Sequence, residues 1–323
     1  MTGNYLSIWR EILTSILDNC YNLSDIVTPF VAHTSPEGYL PVELLIEDGN
    51  TTNNSKIITP QVLASYCWRS MKEVFLILGS ISQLSRYSME HQLRLEISPE
   101  QAKKIGEFLK AQLCIVKHVG VFELCYNGFV SYCDMLWTCR SFKLSPSLWI
   151  DELLKDLNTC NLSKDLCSTR RSAGLPFFIK AILTTEPASA QKRCFKLMMT
   201  ELHEIAFKSD YSDDENTRDA TIHAFNIMRS IYRDTHFGDD VHVFVPDGVQ
   251  AAIKGMAANN WQIRNAATLL FSALMNRIFG VKKDRDEQSK KNCMTGREFF
   301  SRYPKLYQLL LEHIQDATDK IDE

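Results

Sequence analysis

The chain reads as all-α, an α-solenoid of stacked antiparallel helix pairs, and three observations carry that reading. Hydroxyl-proline dipeptides recur where helices should begin, apolar residues recur at steps of three and four, and strand-type alternation is nearly absent. About a dozen helices joined by short loops, without a fixed repeat length, suit stacked pairs better than one closed bundle.

The elements follow in order. Residues 4–18 have helical apolar spacing, and Thr59-Pro60 opens a helix over 60–86, where the hydroxyl caps and the proline occupies a first turn that has no use for its N–H. Ser98-Pro99 opens 99–117. Ser98 and Gln101 form a capping box there, ahead of a stripe at Ile105, Phe108, Leu109, Leu113 and Val116. A helix over 119–140 comes next, and Ser145-Pro146 starts 146–159. Apolar spacing places further helices at 170–184, 188–208, 216–234 and 248–258. In 216–234, Phe225, Met228 and Tyr232 look like core.

Ile263, Ala267, Leu270, Leu274 and Ile278 mark the stripe of a helix over 261–279. Ala266, Thr268, Leu269, Phe271 and Ala273 lie off that stripe, which predicts burial between two layers. Thr295 with Glu298 boxes the start of 295–302, flanked by Met294 and Phe299 as a hydrophobic staple, and 304–317 closes the series. The strand exceptions are Val241 to Val245 and Leu44 to Ile46. Loops are expected at 28–41, 47–56, 87–97, 209–215 and 282–293, and the whole of 1–323 reads as one continuous helical-repeat segment.

Composition bounds the class. The chain has 323 residues, 45% hydrophobic and 23% charged, which suits a packed core and excludes disorder. Its richest apolar stretch, Val74 to Ile81, is far too short to span a bilayer, and Met1 to Trp9 lack the pattern of a secretory signal, so a soluble cytoplasmic protein is expected. The ten cysteines contain no Cys-x-x-Cys pair and read as reduced core thiols. Charge is uneven: residues 1–160 hold 17 acids and 13 bases, whereas 261–305 hold 4 acids and 10 bases. That basic stretch suits phosphate binding or a solvated loop.

No catalytic apparatus is legible. There is no phosphate-cradling glycine loop, dinucleotide fingerprint or nucleophile elbow. His203-Glu204 fails the zinc-helix pattern because Phe207 stands at the second histidine position, and His236 with His242 lacks a third ligand. His118, His203 and His223 are therefore expected to be packing or surface residues. Neither metal nor cofactor is expected. Trp261, beside Asn259, Asn260 and Arg264, has a polar setting that suits recognition, although packing at a loop-to-helix junction is the preferred reading.

The most unusual segment is Thr169-Arg-Arg-Ser-Ala-Gly-Leu-Pro176. Cations at a helix start oppose the partial positive charge of free N–H groups, so Arg170 and Arg171 point either to a waiting anionic partner or to local pairing with acids such as Asp165. In a helix beginning near Arg170, Pro176 would force a kink. Gly174 would admit a neighbouring backbone.

That segment does not stand alone. His223-Ala-Phe-Asn-Ile-Met-Arg229, Tyr232-Arg-Asp-Thr235, Trp261-x-x-Arg-Asn265, Leu270-Phe-Ser272 with Arg277-Ile-Phe-Gly-Val281, and Thr295-Gly-Arg-Glu-Phe-Phe-Ser-Arg-Tyr-Pro304 follow it in order, and Ile58-Thr-Pro-Gln61 with Cys67-Trp-Arg-Ser-Met-Lys-Glu73 precede it. Together they resemble the thyroid adenoma-associated protein (THADA) family, from about residue 35 onward, with the family's central uncharacterised domain over roughly 35–305.

The resemblance implies an armadillo or HEAT-like helical-repeat fold and a fragment of a much longer protein. It implies a non-catalytic adaptor that partners an FtsJ-like methyltransferase in 2′-O-ribose methylation of the tRNA anticodon loop at nucleotide 32. The arginine-rich signature maps onto Arg170, Arg171, Ser172, Ala173, Gly174, Leu175 and Pro176. The later motifs add Arg264, Asn265, Arg277 and Arg297 as partner- or RNA-binding candidates. Two rivals are a helical-repeat scaffold for proteins with no RNA role and a stand-alone enzyme.

Overall fold

Helices begin where the capping signals stand. A computed structural model describes residues 2–32, 60–116, 119–139, 146–159, 174–208, 214–280 and 293–319, and among these there are twelve α-helices and no strand. They are α1 (Thr2–Val31), α2 (Pro60–Glu90), α3 (Pro99–Ile115), α4 (Val119–Thr138), α5 (Pro146–Asn158), α6 (Leu175–Thr185), α7 (Arg193–Lys208), α8 (Glu215–Arg233), α9 (Val245–Met256), α10 (Trp261–Phe279), α11 (Gly296–Arg302) and α12 (Lys305–Asp319). Both capping boxes form as expected, Ser98 with Gln101 on α3 and Thr295 with Glu298 on α11.

The chain divides into two compact units, Met1–Ile150 with Ala173–Lys192, and Asp151–Ser172 with Arg193–Glu323. In the first, α2 packs most extensively on α4 and also on α1, while α4 also meets α3 and α6. Met71, Phe75 and Leu78 of α2 face a core shared with Cys125, Phe129 and Tyr132 of α4, all fully buried. Phe129, Tyr132, Trp149 and Phe178 stack at centroid separations of 5.3 to 6.2 Å. The α2–α4 crossing needs a residue without a side chain, because a Cβ at Gly128 would lie 2.9 Å from the Phe75 carbonyl oxygen.

In the second unit α10 packs on α8 and α9, α7 meets α8 and α9, and α12 meets α9 and α11. Phe225, Met228 and Tyr232 are core, as their spacing predicts.

Four expectations need correction. The first helix runs to Val31 rather than ending near residue 18, because Leu13, Leu17, Cys20, Ser24, Val27 and Val31 make one buried stripe in which Ser24 bonds Thr28 and stands where an apolar residue would. Val241 to Val245 is no strand: Val241 precedes a single 3₁₀ turn at His242–Phe244 that leads directly into α9, so the alternation there is accidental. The helix expected at 188–208 begins at Arg193, after a 3₁₀ turn and left-handed Gln191 and Lys192. On α10, Ala266 and Ala273 are buried, but Thr268 is exposed and Leu269 and Phe271 only half-buried, so one face of this helix stays open. The stretch Leu44 to Ile46 lies outside the described residues.

Six of the eight described cysteines are buried thiols, while Cys114 is half-buried and Cys293 exposed. Among the described residues no helix is long and apolar enough to cross a membrane.

Candidate partner and RNA interface

Of the signature segment, Arg170, Arg171, Ser172 and Ala173 lie outside the described residues, as does Thr169. Its second half is well defined. Gly174 caps α6, its carbonyl accepting from the N–H groups of Phe177 at 3.1 Å and Phe178 at 2.9 Å. The described helix therefore starts at Leu175, five residues later than expected. Pro176 falls in the first turn, where its absent N–H has no carbonyl to serve, so it favours the start and forces no kink.

The close approach expected at Gly174 is present. A Cβ there would sit 1.8 Å from the Leu113 carbonyl oxygen of α3, so no other residue fits without moving a backbone. Leu175 and Pro176 are buried with it. Phe177 meets Phe122 edge-on at 4.5 Å, and the Lys180 ammonium lies 5.1 Å from its ring. Gly174, Leu175 and Pro176 thus seat the segment against α3 and α4; their burial gives them a positioning role rather than a contact face.

The other candidates sit in the second unit. Arg264 and Asn265 are neighbours on the first turns of α10, both exposed. The Arg264 guanidinium folds back, donating to the carbonyls of Ala258, at 2.9 Å, and Asn259 in the α9–α10 loop. Arg277, on the last turns of α10, donates through Nε to the Tyr232 carbonyl at 2.8 Å and through its outer nitrogen to the Asp234 carbonyl. It thereby closes the C-terminus of α8, where orphan carbonyls and the helix dipole favour a cation. Arg297 is exposed on α11, whose Phe299 stacks on Phe279 at 6.0 Å. These residues mark points along α10 and α11 and do not converge on one pocket. Asn260 caps α10, accepting from Gln262 and Ile263, and leaves Trp261 60% exposed, against the packing role preferred for it.

A buried polar chain went unread in the sequence. The His203 ring donates from Nδ1 to the Met199 carbonyl at 2.6 Å, its Nε2 faces the Tyr232 hydroxyl at 3.3 Å, and that hydroxyl donates to the Phe244 carbonyl at 2.7 Å. Burial pushes His203 below the usual histidine range and Tyr232 well above the usual phenol range. Both groups are uncharged at neutral pH and tie α7, α8 and the entry to α9 together. His223 is buried too, so His203 and His223 are packing residues as expected; His118 lies outside the described residues. Among the described residues, no three of His, Cys, Asp and Glu stand close enough to hold a metal ion.

Comparison with known proteins gives this geometry a context. A family model described as THADA/TRM732, DUF2428 matches residues 11–262, and one described as Trm732, C-terminal TPR repeats matches residues 264–323. A mouse protein named tRNA (32-2'-O)-methyltransferase regulator THADA is 36% identical, and the alignment covers 98% of this chain and 19% of the mouse protein. The fruit-fly protein of the same name is 33% identical over 97% of this chain and 20% of its own length. The fission-yeast tRNA (32-2'-O)-methyltransferase regulator trm732 is 27% identical over 95% of this chain and 20% of its own. The chain therefore spans about a fifth of the length of these relatives. No solved structure matches it. With the first family model covering most of its length and the sequence motifs seated in order on α6, α8, α10 and α11, the chain belongs to the THADA/TRM732 family.

Proposed function

We propose that this chain is part of a non-catalytic adaptor that holds tRNA and docks an FtsJ-like methyltransferase, so that the ribose 2′-hydroxyl of nucleotide 32 in the anticodon loop meets the methyl donor on the enzyme. The observation that carries the reading is its alignment, over nearly its whole length, with proteins named as regulators of that methylation. The geometry supports it in one respect: the end of the arginine-rich signature is fixed to α3 by a backbone contact that only glycine allows, which suits residues whose task is placement. Orientation of two well-aligned reactants can supply about 7 to 11 kcal/mol of a reaction barrier, and no acid or base need come from the adaptor.

In this reading Arg170 and Arg171 make the anionic contact, whether to RNA phosphate or to an acidic patch on the enzyme. Arg264, Asn265 and Arg297 lie along a second, RNA-facing surface, and Arg277 holds that surface in shape. The double variant Arg170→Glu, Arg171→Glu, placed in the full-length protein, should abolish methylation at nucleotide 32 while leaving helix content and thermal midpoint unchanged. Wild-type methylation by a folded double variant removes the signature from the mechanism.

A second reading is a scaffold for proteins alone. It is favoured by the outer face of α12, where Tyr307 is 55% and Ile314 64% exposed. Salt separates the two. Binding of tRNA through several phosphates weakens steeply as salt rises, whereas an apolar protein contact does not.

A further inference from the structure

From Gly248 to Gly280 there is no aspartate or glutamate, although the chain as a whole carries 39 acids against 36 bases. That stretch contains α9 beyond its first turn and all of α10, and its charges are Lys254, Arg264 and Arg277. Lys254 and Arg277 are directed to backbone carbonyls, of Phe207 and of Tyr232 and Asp234. What α10 presents outward is one exposed stripe, Trp261, Asn265, Thr268, Ser272 and Asn276, with Arg264 beside it and Phe279, 50% exposed and stacked on Phe299, at its C-terminal end. These positions recur at steps of three and four, so they lie one above another along roughly 25 Å of helix.

The chemistry of that stripe is specific. From Trp261 to Asn276 its members are uncharged hydrogen-bonding groups, and the side chains of Asn265, Ser272 and Asn276 bond to nothing else among the described residues. Thr268 donates only to its own helix, at the Arg264 carbonyl 2.8 Å away, and keeps its lone pairs outward. At one end stands an indole 60% exposed, and no other ring stacks on it among the described residues. Arg264, three residues along the helix from Trp261, is pinned by one nitrogen to Ala258 and Asn259, which fixes the guanidinium and leaves its other N–H edges unused among the described residues. An ordinary solvated helix face is rich in both signs of charge; this face excludes acids and offers a stacking surface instead.

We infer that the open face of α10 is a binding surface for unpaired RNA, with Trp261 stacking a base and Arg264, Asn265, Thr268, Ser272 and Asn276 bonding the adjoining bases, riboses and phosphates. The absence of acids matches a polyanion. An exposed aromatic with a fixed guanidinium matches unstacked bases, which double-stranded RNA does not offer. The inference deepens the adaptor reading and rests on its assignment of RNA as a partner.

The test is fluorescence anisotropy of the purified chain with a short unstructured oligoribonucleotide and with the same sequence as a duplex, both at low salt. Trp261→Ala should weaken single-strand binding about tenfold, toward the lower end of the loss for one stacked base, while Trp261→Phe keeps most of it and duplex binding hardly changes. A fluorescent purine analogue in the single strand should be quenched by wild type and not by Trp261→Ala, a readout that a merely structural role would not produce. Equal single-strand affinity in wild type and Trp261→Ala overturns the inference. So does an equal loss on duplex and single strand, which would be charge alone, and so does wild type that binds no RNA. So too, in a separate pull-down with the full-length protein, would Trp261→Ala that binds RNA normally in the anisotropy assay but no longer captures the methyltransferase, which makes the stripe a protein-docking face. Because the anisotropy assay contains no methyltransferase, its failure leaves the test of Arg170 and Arg171 standing, and failure of that test leaves this one standing.

Discussion

Helices α4 and α10 have similar lengths and similar apolar content, yet they are used in opposite ways. α4 is gripped by α2, α3 and α6, and among its described side chains only Glu123, Asn127 and Thr138 are exposed. α10 packs mainly on α8 and α9, with Phe279 stacked on Phe299 of α11 at its end, and keeps one face in solvent among the described residues. Where α4 admits a neighbour it spends a glycine, Gly128, on the approach; where α10 ends it uses arginine to close other helices. An apolar helix in a repeat protein can thus be a core beam or a platform, and the neighbours decide which.

The comparison breaks first at Gly128. Replacement by valine puts carbon against the Phe75 carbonyl and should destabilise the first unit by about 3 kcal/mol, read from the urea midpoint. A cost below about 1 kcal/mol would mean that the α2–α4 crossing yields easily and α4 is no beam.

Acid should separate the two units with a similar effect. Among the described residues the buried histidines, His203 and His223, belong to the second unit. Burial holds His223 down at about 4 against its usual 6.5, so the folded state keeps it neutral while the unfolded chain takes up a proton. The stabilisation is whole above pH 6.5 and is lost as pH falls from there toward 4, on the order of 3 kcal/mol in total. Hydrogen exchange at pH 7 and pH 5 should therefore show α8 and α10 losing protection before α2 and α4. Equal losses would refute this, and His223→Gln should flatten the difference.

Arg277→Ala should cost about 1.5 kcal/mol by leaving the Tyr232 and Asp234 carbonyls unserved, seen as a lower thermal midpoint with α8 fraying at its C-terminus. Ser272→Ala, on the open stripe, should change stability by less than about 0.5 kcal/mol, and a larger loss would mean that the face is already covered.

Much of this was legible in the sequence, for identifiable reasons. Helix starts at Pro60, Pro99 and Pro146 are local chemistry, and capping boxes report the starts of α3 and α11 directly. The core positions of α8 follow from spacing. What failed needed knowledge of neighbours. Ser24 reads as polar punctuation until its hydroxyl is seen to bond within the helix, and α10 looks buried on two sides until its partners prove to be on one. Trp261 reads as packing at a loop-to-helix junction, yet as the first residue after the Asn260 cap it stands outward. At the candidate site, the arginine pair and the close contact at Gly174 were visible as oddities. That the contact would fall on the last turns of α3 was not, since nothing in residues 169–176 names residue 113.

The seat of Gly174 has an uneven genetic consequence. Its counterpart in the contact is the carbonyl oxygen of Leu113, an atom that every amino acid brings to that spot. As far as this junction is concerned, position 113 is free to drift, whereas position 174 tolerates no substitution at all. Suppressors of damage at 174 should then be sought as shifts of the entire final turn of α3, and never as a compensating side chain facing it.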